Sequence, residues 1–593
     1  MKKKLTKKMK LKTVLIFALV FIVFMALSIR LIYINRVQGS QFERQVLAQQ
    51  TNYNRILQDK RGSIFDRNGT ILANSLSTYN LILDPQVISV SRENVKNNII
   101  FALENYFDIE KDLLNQYIEN PQGRHYVPLI KNMSYEEKQN FQLFLQEENI
   151  QNAISGVWFE EEFVRNYPFE HLASHVLGFV NANEGMWGIE EKYNDLLKGE
   201  TGRAFGMVSE GFYVNTEVKE PKNGNNIITT IDYTIQHYVE RAVREFNETY
   251  EPLNTTVIAM NPNNGEILAL ANNPNYNPND PRNLDDFFSQ EEIDNLSSEE
   301  RLNFLNGLWR SYAINNTYEP GSTFKPVTIS AALEEGILTG DEIFECEGSV
   351  NVAGTRIGCW SREGHGEQTL SEVLANSCNV GMVQIGELMG KEIFVEYQRN
   401  FGFGERTNVD LLGEASANNL LYNVNNMGPV ELATNTFGQT FNVTPIQLIT
   451  AISSIINGGE LLEPHIIKQI IDDNGAIIDS IDKKVVRNII SKDTADQVKE
   501  YMFDAVEVGT GHYASLEGYE IGGKTGTAEK LPRGNDKYVI SFIGFTPIEN
   551  PEIILLVISD EPSVPNASSS LVVSLFSEIM QDILPYLNIY PAE

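Results

Sequence analysis

EPGSTFKP, residues Glu319 to Pro326, breaks the chain at Pro320-Gly321 and then sets a serine hydroxyl and a lysine amine three residues apart. Residues three apart share one face of a helix, so the Lys325 amine can reach the Ser322 hydroxyl if one helix includes both. A Pro-Gly break is a helix start, and it would put Ser322 in the first turn, where free N–H groups point outward. An amine acts as general base toward serine only when its pKa is lowered, which burial or neighbouring cations achieve. The apolar run VTISAALEEG that follows supports a buried helix. Ser-x-x-Lys alone has little specificity. A second copy, Ser480-Ile-Asp-Lys483, lies between strand-like runs, is followed by Lys484, and reads as a solvated turn or edge.

Two further elements lie downstream. Ser-x-Asn occurs at Ser349–Asn351, Ser377–Asn379 and Ser416–Asn418. Only the middle copy closes a helical stretch, LSEVLANSCN, in which Leu370, Val373, Leu374 and Ser377 fall on one face. Lys524-Thr525-Gly526-Thr527 sits in GYEIGGKTGTAEK, after a strand-like approach and before a polar loop. A strand edge carrying a lysine and two hydroxyls suits a carboxylate, and Gly526 would let a ligand backbone approach closely. Each element alone reads equally well as turn decoration. The three in this order, with helix and strand contexts to match, weigh strongly against decoration.

The sequence around these motifs predicts an α+β fold. NTTVIAMNP and GEILALANN flank an Asn-Asn-Gly turn, and YVISFIGFTP and PEIILLVISD flank Ile548-Glu549-Asn550, both patterns of antiparallel hairpins. With the helical run SLVVSLFSEIMQDILPYL at the end, this predicts one antiparallel sheet closed by both ends of the second half. From Val37 to about Lys222, strand-like and charged helical runs alternate, the pattern of an elongated α+β module, and EPKNGNN (Glu220 to Asn226) marks a linker. The expected domains are therefore 36–225 and 226–593.

The first twelve residues, MKKKLTKKMKLK, are a basic tail, and an apolar run follows from Thr13. Segment 13–35 reads as a single membrane anchor with the lysines in the cytoplasm and the remainder outside, the rival being a buried helix of a soluble domain. No small-x-small cleavage pattern follows, so the anchor is expected to be retained. With a net charge of -32 despite that tail, the external part is strongly acidic and unsuited to nucleic acid. Seven scattered histidines and three cysteines, with neither HExxH nor CxxC, point away from a metal site, and no cofactor is expected.

With these motifs the chain resembles the penicillin-binding proteins and serine β-lactamases. RGSIFDRNG (Arg61 to Gly69), RNYP (Arg165 to Pro168), HVLGFV from His175 and GIEEKYNDLLKGETG (Gly188 to Gly202) resemble boxes of the non-catalytic module of class B penicillin-binding proteins. TTID (Thr229 to Asp232), FGQ (Phe437 to Gln439) with VTPIQ, and GTGHYA (Gly509 to Ala514) resemble the transpeptidase module. NASSS, Asn566 to Ser570, departs from the glycine-rich stretch common before the last helix in relatives.

The resemblance implies a transpeptidase domain on an elongated pedestal, cross-linking peptidoglycan stem peptides and acylated by β-lactams. It implies Ser322 as nucleophile, Lys325 as its base, Ser377 as proton relay, and Asn379 as a partner of Lys325 and the donor amide. Lys524, Thr525 and Thr527, around Gly526, would hold the terminal carboxylate. The N–H groups of Ser322 and Thr527 would form the oxyanion hole.

Other cell-wall synthesis membrane proteins are the expected partners, in division, elongation or sporulation. A carboxypeptidase or β-lactam-hydrolysing relative would pass the same ester to water, and a scaffold role is a third reading. Cys378 lies inside Ser-x-Asn and Cys359 precedes a Gly-His-Gly loop, which makes them a candidate redox pair. Cys346 is a rival partner, and idle buried thiols are the plain alternative.

Overall fold

The computed structural model describes residues 19–28, 30, 52–151, 154–209, 212–565 and 567–591. The basic tail, most of the 13–35 segment and Asn566 of NASSS lie outside the described residues. Residues 19–28 are helical, and among the described residues no helix is long and apolar enough to cross a membrane. The chain divides into two compact units. The first, residues 1–59 and 200–222, contains a three-stranded antiparallel sheet in which Gly202–Ser209 lies between Asn52–Leu57 and Phe212–Lys219.

The second unit, 60–199 with 223–593, carries two main sheets. One draws strands from both halves of the sequence. Ile64–Phe65 pairs in parallel with Asn226–Thr229 and antiparallel with Ile71–Leu83. Ile71–Leu83 in turn pairs with Val127–Met133 and Val157–Asn166. Helices Glu93–Phe107, Lys111–Glu119 and Tyr135–Glu147 pack beside these strands around Leu81, Ile99, Leu103, Leu114 and Phe141. Ser134 and Glu137 cap the last of these reciprocally, Glu137 N–H to Ser134 Oγ at 3.1 Å and Ser134 N–H to Glu137 Oε2 at 2.7 Å, which satisfies donors that a helix start leaves free.

Three of the four resemblance boxes of the first half converge on one buried carboxylate. Glu190 accepts from Arg61 Nε at 2.7 Å and Arg165 Nε at 2.6 Å, and Tyr167 donates its hydroxyl at 3.2 Å. Arg61 also reaches Asn194, and Arg165 donates to the Gly62 carbonyl. Nearby, Asp66 accepts from the N–H groups of Asn68, Thr70 and Tyr233, so the RGSIFDRNG turn is tied to the helix Tyr233–Tyr250 that Asp232 caps.

The other sheet is five-stranded and antiparallel, in the order Ile267–Asn273, Asn254–Met260, Ile553–Asp560, Tyr538–Thr546, Gly522–Glu529. Both hairpins expected from the sequence are present, with Val257 opposite Ala271 and Ser541 opposite Ile558. Every residue of Ile553–Asp560 is buried because both faces of the sheet are covered, so the strand reads as an apolar run and not as an alternation. Helices Tyr233–Tyr250 and Ser570–Tyr586 cover one face through Ile235, Val239, Val573 and Phe576. Against the other face lies the fully buried Pro445–Ile456, with Lys325–Glu334 packed on it and Asn379–Asn400 packed on Lys325–Glu334. The α+β expectation holds, and Gly522–Glu529 is left as an edge strand beside these helices.

Candidate active site

Ser322 lies in a tight turn, and the α-helix starts later than expected. Gly321–Phe324 is a 3-10 turn and the helix proper is Lys325–Glu334. Pro326 has no N–H to give and is tolerated only in a helix's first turn, which fixes that start. The turn is held from three sides. Phe324 is buried among Phe394, Phe403 and Phe441. Gly321 N–H donates to the Gly438 carbonyl at 2.9 Å, which brings the FGQ box against the turn. Gly438 has φ +81°, and a Cβ there would lie 2.0 Å from the Gly321 oxygen. Glu319 accepts from Thr440 N–H and pairs with Arg533 at 2.6 Å.

The Lys325 amine is fully buried and donates to the Ser377 carbonyl at 2.7 Å, Ser377 Oγ at 3.1 Å and Asn379 Oδ1 at 2.9 Å. Among the described residues no hydrogen bond joins it to Ser322 Oγ. The amine is directed to Ser-x-Asn, so the first two motifs meet through Lys325. Burial pushes its pKa down to about 7, against the raising effect of charge on Cys378 and Cys359. An amine with that pKa is available as a base near neutral pH.

Ser377 and Asn379 sit at a break between helices Leu370–Ala375 and Asn379–Asn400. Ser377 has φ 53°, in the left-handed region that costs a non-glycine residue about 1–3 kcal/mol, and this turn aims both its carbonyl and its hydroxyl at Lys325. Cys378 caps the second helix, its Sγ accepting from Gly381 N–H at 3.3 Å.

Lys524 is likewise buried, on the edge strand, and donates to the Thr525 carbonyl and Oγ1, each at 3.2 Å. Burial first, and then the charge of Lys325, hold its pKa well below the ordinary lysine range. Thr510, within the GTGHYA box, shares a hydrogen bond with Thr525 Oγ1 at 2.9 Å and lies 3.5 Å from Lys524 Nζ. No local pattern in that box sets Thr510 apart from its neighbours. Thr527 is exposed. At Gly526 a Cβ would meet Ser541 Oγ at 2.4 Å and the Pro320 carbonyl at 3.1 Å, so its bareness seats the serine turn on the strand.

The other copies of the motifs stand apart. Ser480 ends the exposed strand Ile477–Ser480, and Lys483 pairs with Glu460. Ser349 starts a short strand, and Asn418 starts a 3-10 turn. A cavity of about 430 Å³ adjoins the motif residues through Glu319 and Ala528. A larger one, about 960 Å³, lined by Phe179, Trp187, Arg282 and Trp309, contains no motif residue.

Four side chains with metal-ligating atoms, which no spacing motif in the sequence joins, meet beside the Ser-x-Asn turn. Cys346, Cys359, His365 and Cys378 bring their ligand atoms within 4.8 Å of one another. They come from separate turns and strand ends, so no local spacing motif records them. The three cysteines are free and buried, with Cys359 and Cys378 Sγ 4.0 Å apart.

Residues 255–581 match the penicillin binding protein transpeptidase domain, and residues 57–229 match the penicillin-binding protein dimerisation domain. The chain is 34% identical to Stage V sporulation protein D of Bacillus subtilis over 97% of this chain and 86% of that protein. It is 29% identical to the probable peptidoglycan D,D-transpeptidase PenA of Neisseria meningitidis, over 90% of this chain and 85% of that one. Penicillin-binding protein 2X of Streptococcus thermophilus superposes with a TM-score of 0.75 at 25% identity, covering 90% of this chain and 80% of that one.

Proposed function

The chain belongs to the penicillin-binding transpeptidase family and is a peptidoglycan D,D-transpeptidase of cell-wall synthesis, and on that premise we propose that Ser322, Lys325, Ser377 and Asn379 perform the acyl transfer. The observation that carries this assignment is the buried Lys325 amine, lowered toward neutrality and held by Ser377 and Asn379 one helical turn from Ser322.

Ser322 Oγ would attack the carbonyl between the two terminal D-alanines of a donor stem peptide as the neutral Lys325 amine takes its proton. The C–N bond then breaks. The departing D-alanine amine receives a proton by way of Ser377 Oγ, which accepts the Lys325 hydrogen bond at 3.1 Å. An amine of a second stem peptide attacks the ester, the proton path runs in reverse, and the serine is freed. Ser322 and Thr527 N–H groups would stabilise the oxyanion, where one donor is worth about 10²–10³ in rate. Lys524, Thr525 and Thr527 would take the terminal carboxylate, whose charge supplies the counter-ion that a buried lysine needs to stay protonated. β-Lactams present the same reactive amide and would acylate Ser322.

Acylation needs Lys325 unprotonated. Its rate should rise with pH up to about 7 and level off above, because the amine is pushed down to about 7. Stopped-flow acylation by a chromogenic cephalosporin at varied pH checks this, and a flat profile across that range counts against Lys325 as base.

The remaining assignments are part of the same reading. Residues 1–12 form a cytoplasmic tail, 13–35 a single membrane anchor, 36–225 a pedestal, and 226–593 the extracytoplasmic catalytic domain. The run of lysines before an apolar segment supports the orientation. Likeness to a sporulation protein supports a place in a sporulation or division complex with other membrane proteins of wall synthesis.

Incubation with uncross-linked pentapeptide strands tests the reaction. D-alanine should be released together with cross-linked dimers. Release without dimers would make the protein a carboxypeptidase, and full genetic rescue by Ser322→Ala would make it chiefly a scaffold.

A further inference from the structure

Cys346, Cys359, His365 and Cys378 have no part in the acyl transfer, yet the fold gathers them beside it. Cys346 ends the strand Ile343–Cys346, which pairs with Gly366–Thr369 so that His365 arrives next to it, its N–H donating to the Cys346 carbonyl at 3.0 Å. Cys359 follows the strand Thr355–Gly358 and donates its N–H to the Gly348 carbonyl at 2.9 Å. Cys378 caps the long helix Asn379–Asn400.

All four ligand atoms lie within 4.8 Å of one another. Cys359 and Cys378 Sγ are 4.0 Å apart, and Cys359 Sγ is 3.7 Å from His365 Nδ1. Metal–ligand lengths of about 2.3 Å for sulfur and about 2.0–2.1 Å for nitrogen give tetrahedral edges of about 3.8 Å for S–S and about 3.6 Å for S–N. The observed separations are close to those edges and too long for a disulfide, whose sulfurs stand about 2.05 Å apart. The buried Nε2 of His365 has no hydrogen-bond partner among the described residues.

We propose that Cys346, Cys359, His365 and Cys378 hold one zinc-class divalent cation in a closed structural site that fastens the 343–369 lobe to the Ser377–Asn379 turn. Three thiolates and an imidazole are a soft, four-coordinate set that suits zinc, and with every position filled the ion would be structural. The lobe has need of such a staple, since it consists of two-stranded ladders, which are marginal alone. Cys378 lies between Ser377 and Asn379, so the same ion would fix the two residues that hold the Lys325 amine. The inference does not depend on which residue is acylated.

The full chain, made without a histidine tag and purified under reductant, should retain about one zinc per chain after exposure to zinc and exhaustive dialysis. Cobalt(II) exchanged into the site should show thiolate-to-cobalt charge transfer and the d–d bands of a tetrahedral ion. Cys346→Ser should weaken retention by at least about tenfold, as should the milder His365→Ala. If Cys346→Ser does not fold, the wild-type thermal midpoint gives a second readout: chelator should lower it and zinc restore it. Reduced protein that takes up no zinc would overturn the proposal, as would zinc whose retention is unchanged in His365→Ala. A Cys359–Cys378 disulfide in protein isolated under thiol-blocking conditions, with no zinc uptake after reduction, would overturn it as well.

Discussion

Lys325→Ala is expected to slow acylation by a β-lactam by about 10²–10⁴-fold, the range a positioned general base contributes. The amine is fully buried, and its three acceptors all belong to Ser-x-Asn. Truncation also leaves the Ser377 carbonyl and Asn379 Oδ1 without their donor, so the alanine variant conflates lost chemistry with a loosened site. Lys325→Arg separates the two effects, because a guanidinium donates hydrogen bonds and carries charge but cannot be deprotonated in a protein. Both variants should lose acylation in single-turnover labelling, with thermal melts confirming that they are folded. Near wild-type acylation by folded Lys325→Arg would assign the base elsewhere.

Glu190→Gln should destabilise the protein by about 3–5 kcal/mol, the typical effect of removing one partner from a buried ion pair. Glu190 is fully buried, and its two oxygens are divided between Arg61 and Arg165 at 2.7 and 2.6 Å. The amide keeps the shape but leaves two buried guanidinium groups without a counter-charge. Because Arg61 and Arg165 come from different boxes and Arg165 also holds the Gly62 carbonyl, the change should loosen the Ile64–Phe65 strand that pairs with Asn226–Thr229. Urea denaturation of the purified protein measures this, and Lys484→Ala, which removes an exposed pair with Glu463, serves as a control expected to change little.

The acid–base core of the site was legible because its parts are local. Ser322 and Lys325 lie within one turn, Ser377 and Asn379 within one helix junction, and Lys524 to Thr527 along one strand, so short motifs record each group. The two hairpins were legible for the same reason, a turn signal between two β-prone runs. What stayed hidden depends on long-range packing. The amine of Lys325 engages Ser377 and Asn379, more than fifty residues away, and Pro326 shifts the helix start past the serine. Gly526 and Gly438 are bare for the sake of the serine turn, which no local pattern reveals. Thr510 reaches Lys524 and Thr525 from another element. The cysteine–histidine cluster joins strand ends to a helix cap and leaves no spacing signature. Glu190 reads as one acidic residue among many in GIEEKYNDLLKGETG until the fold surrounds it with two arginines.

The central claim is that Ser322 is the acylated nucleophile. Incubation of the protein with labelled penicillin, followed by proteolysis and mass mapping, tests it most directly. The account predicts one penicilloyl adduct, on the peptide containing Ser322, absent from folded Ser322→Ala. An adduct on any other serine, or none under conditions that label a control penicillin-binding protein, would contradict it.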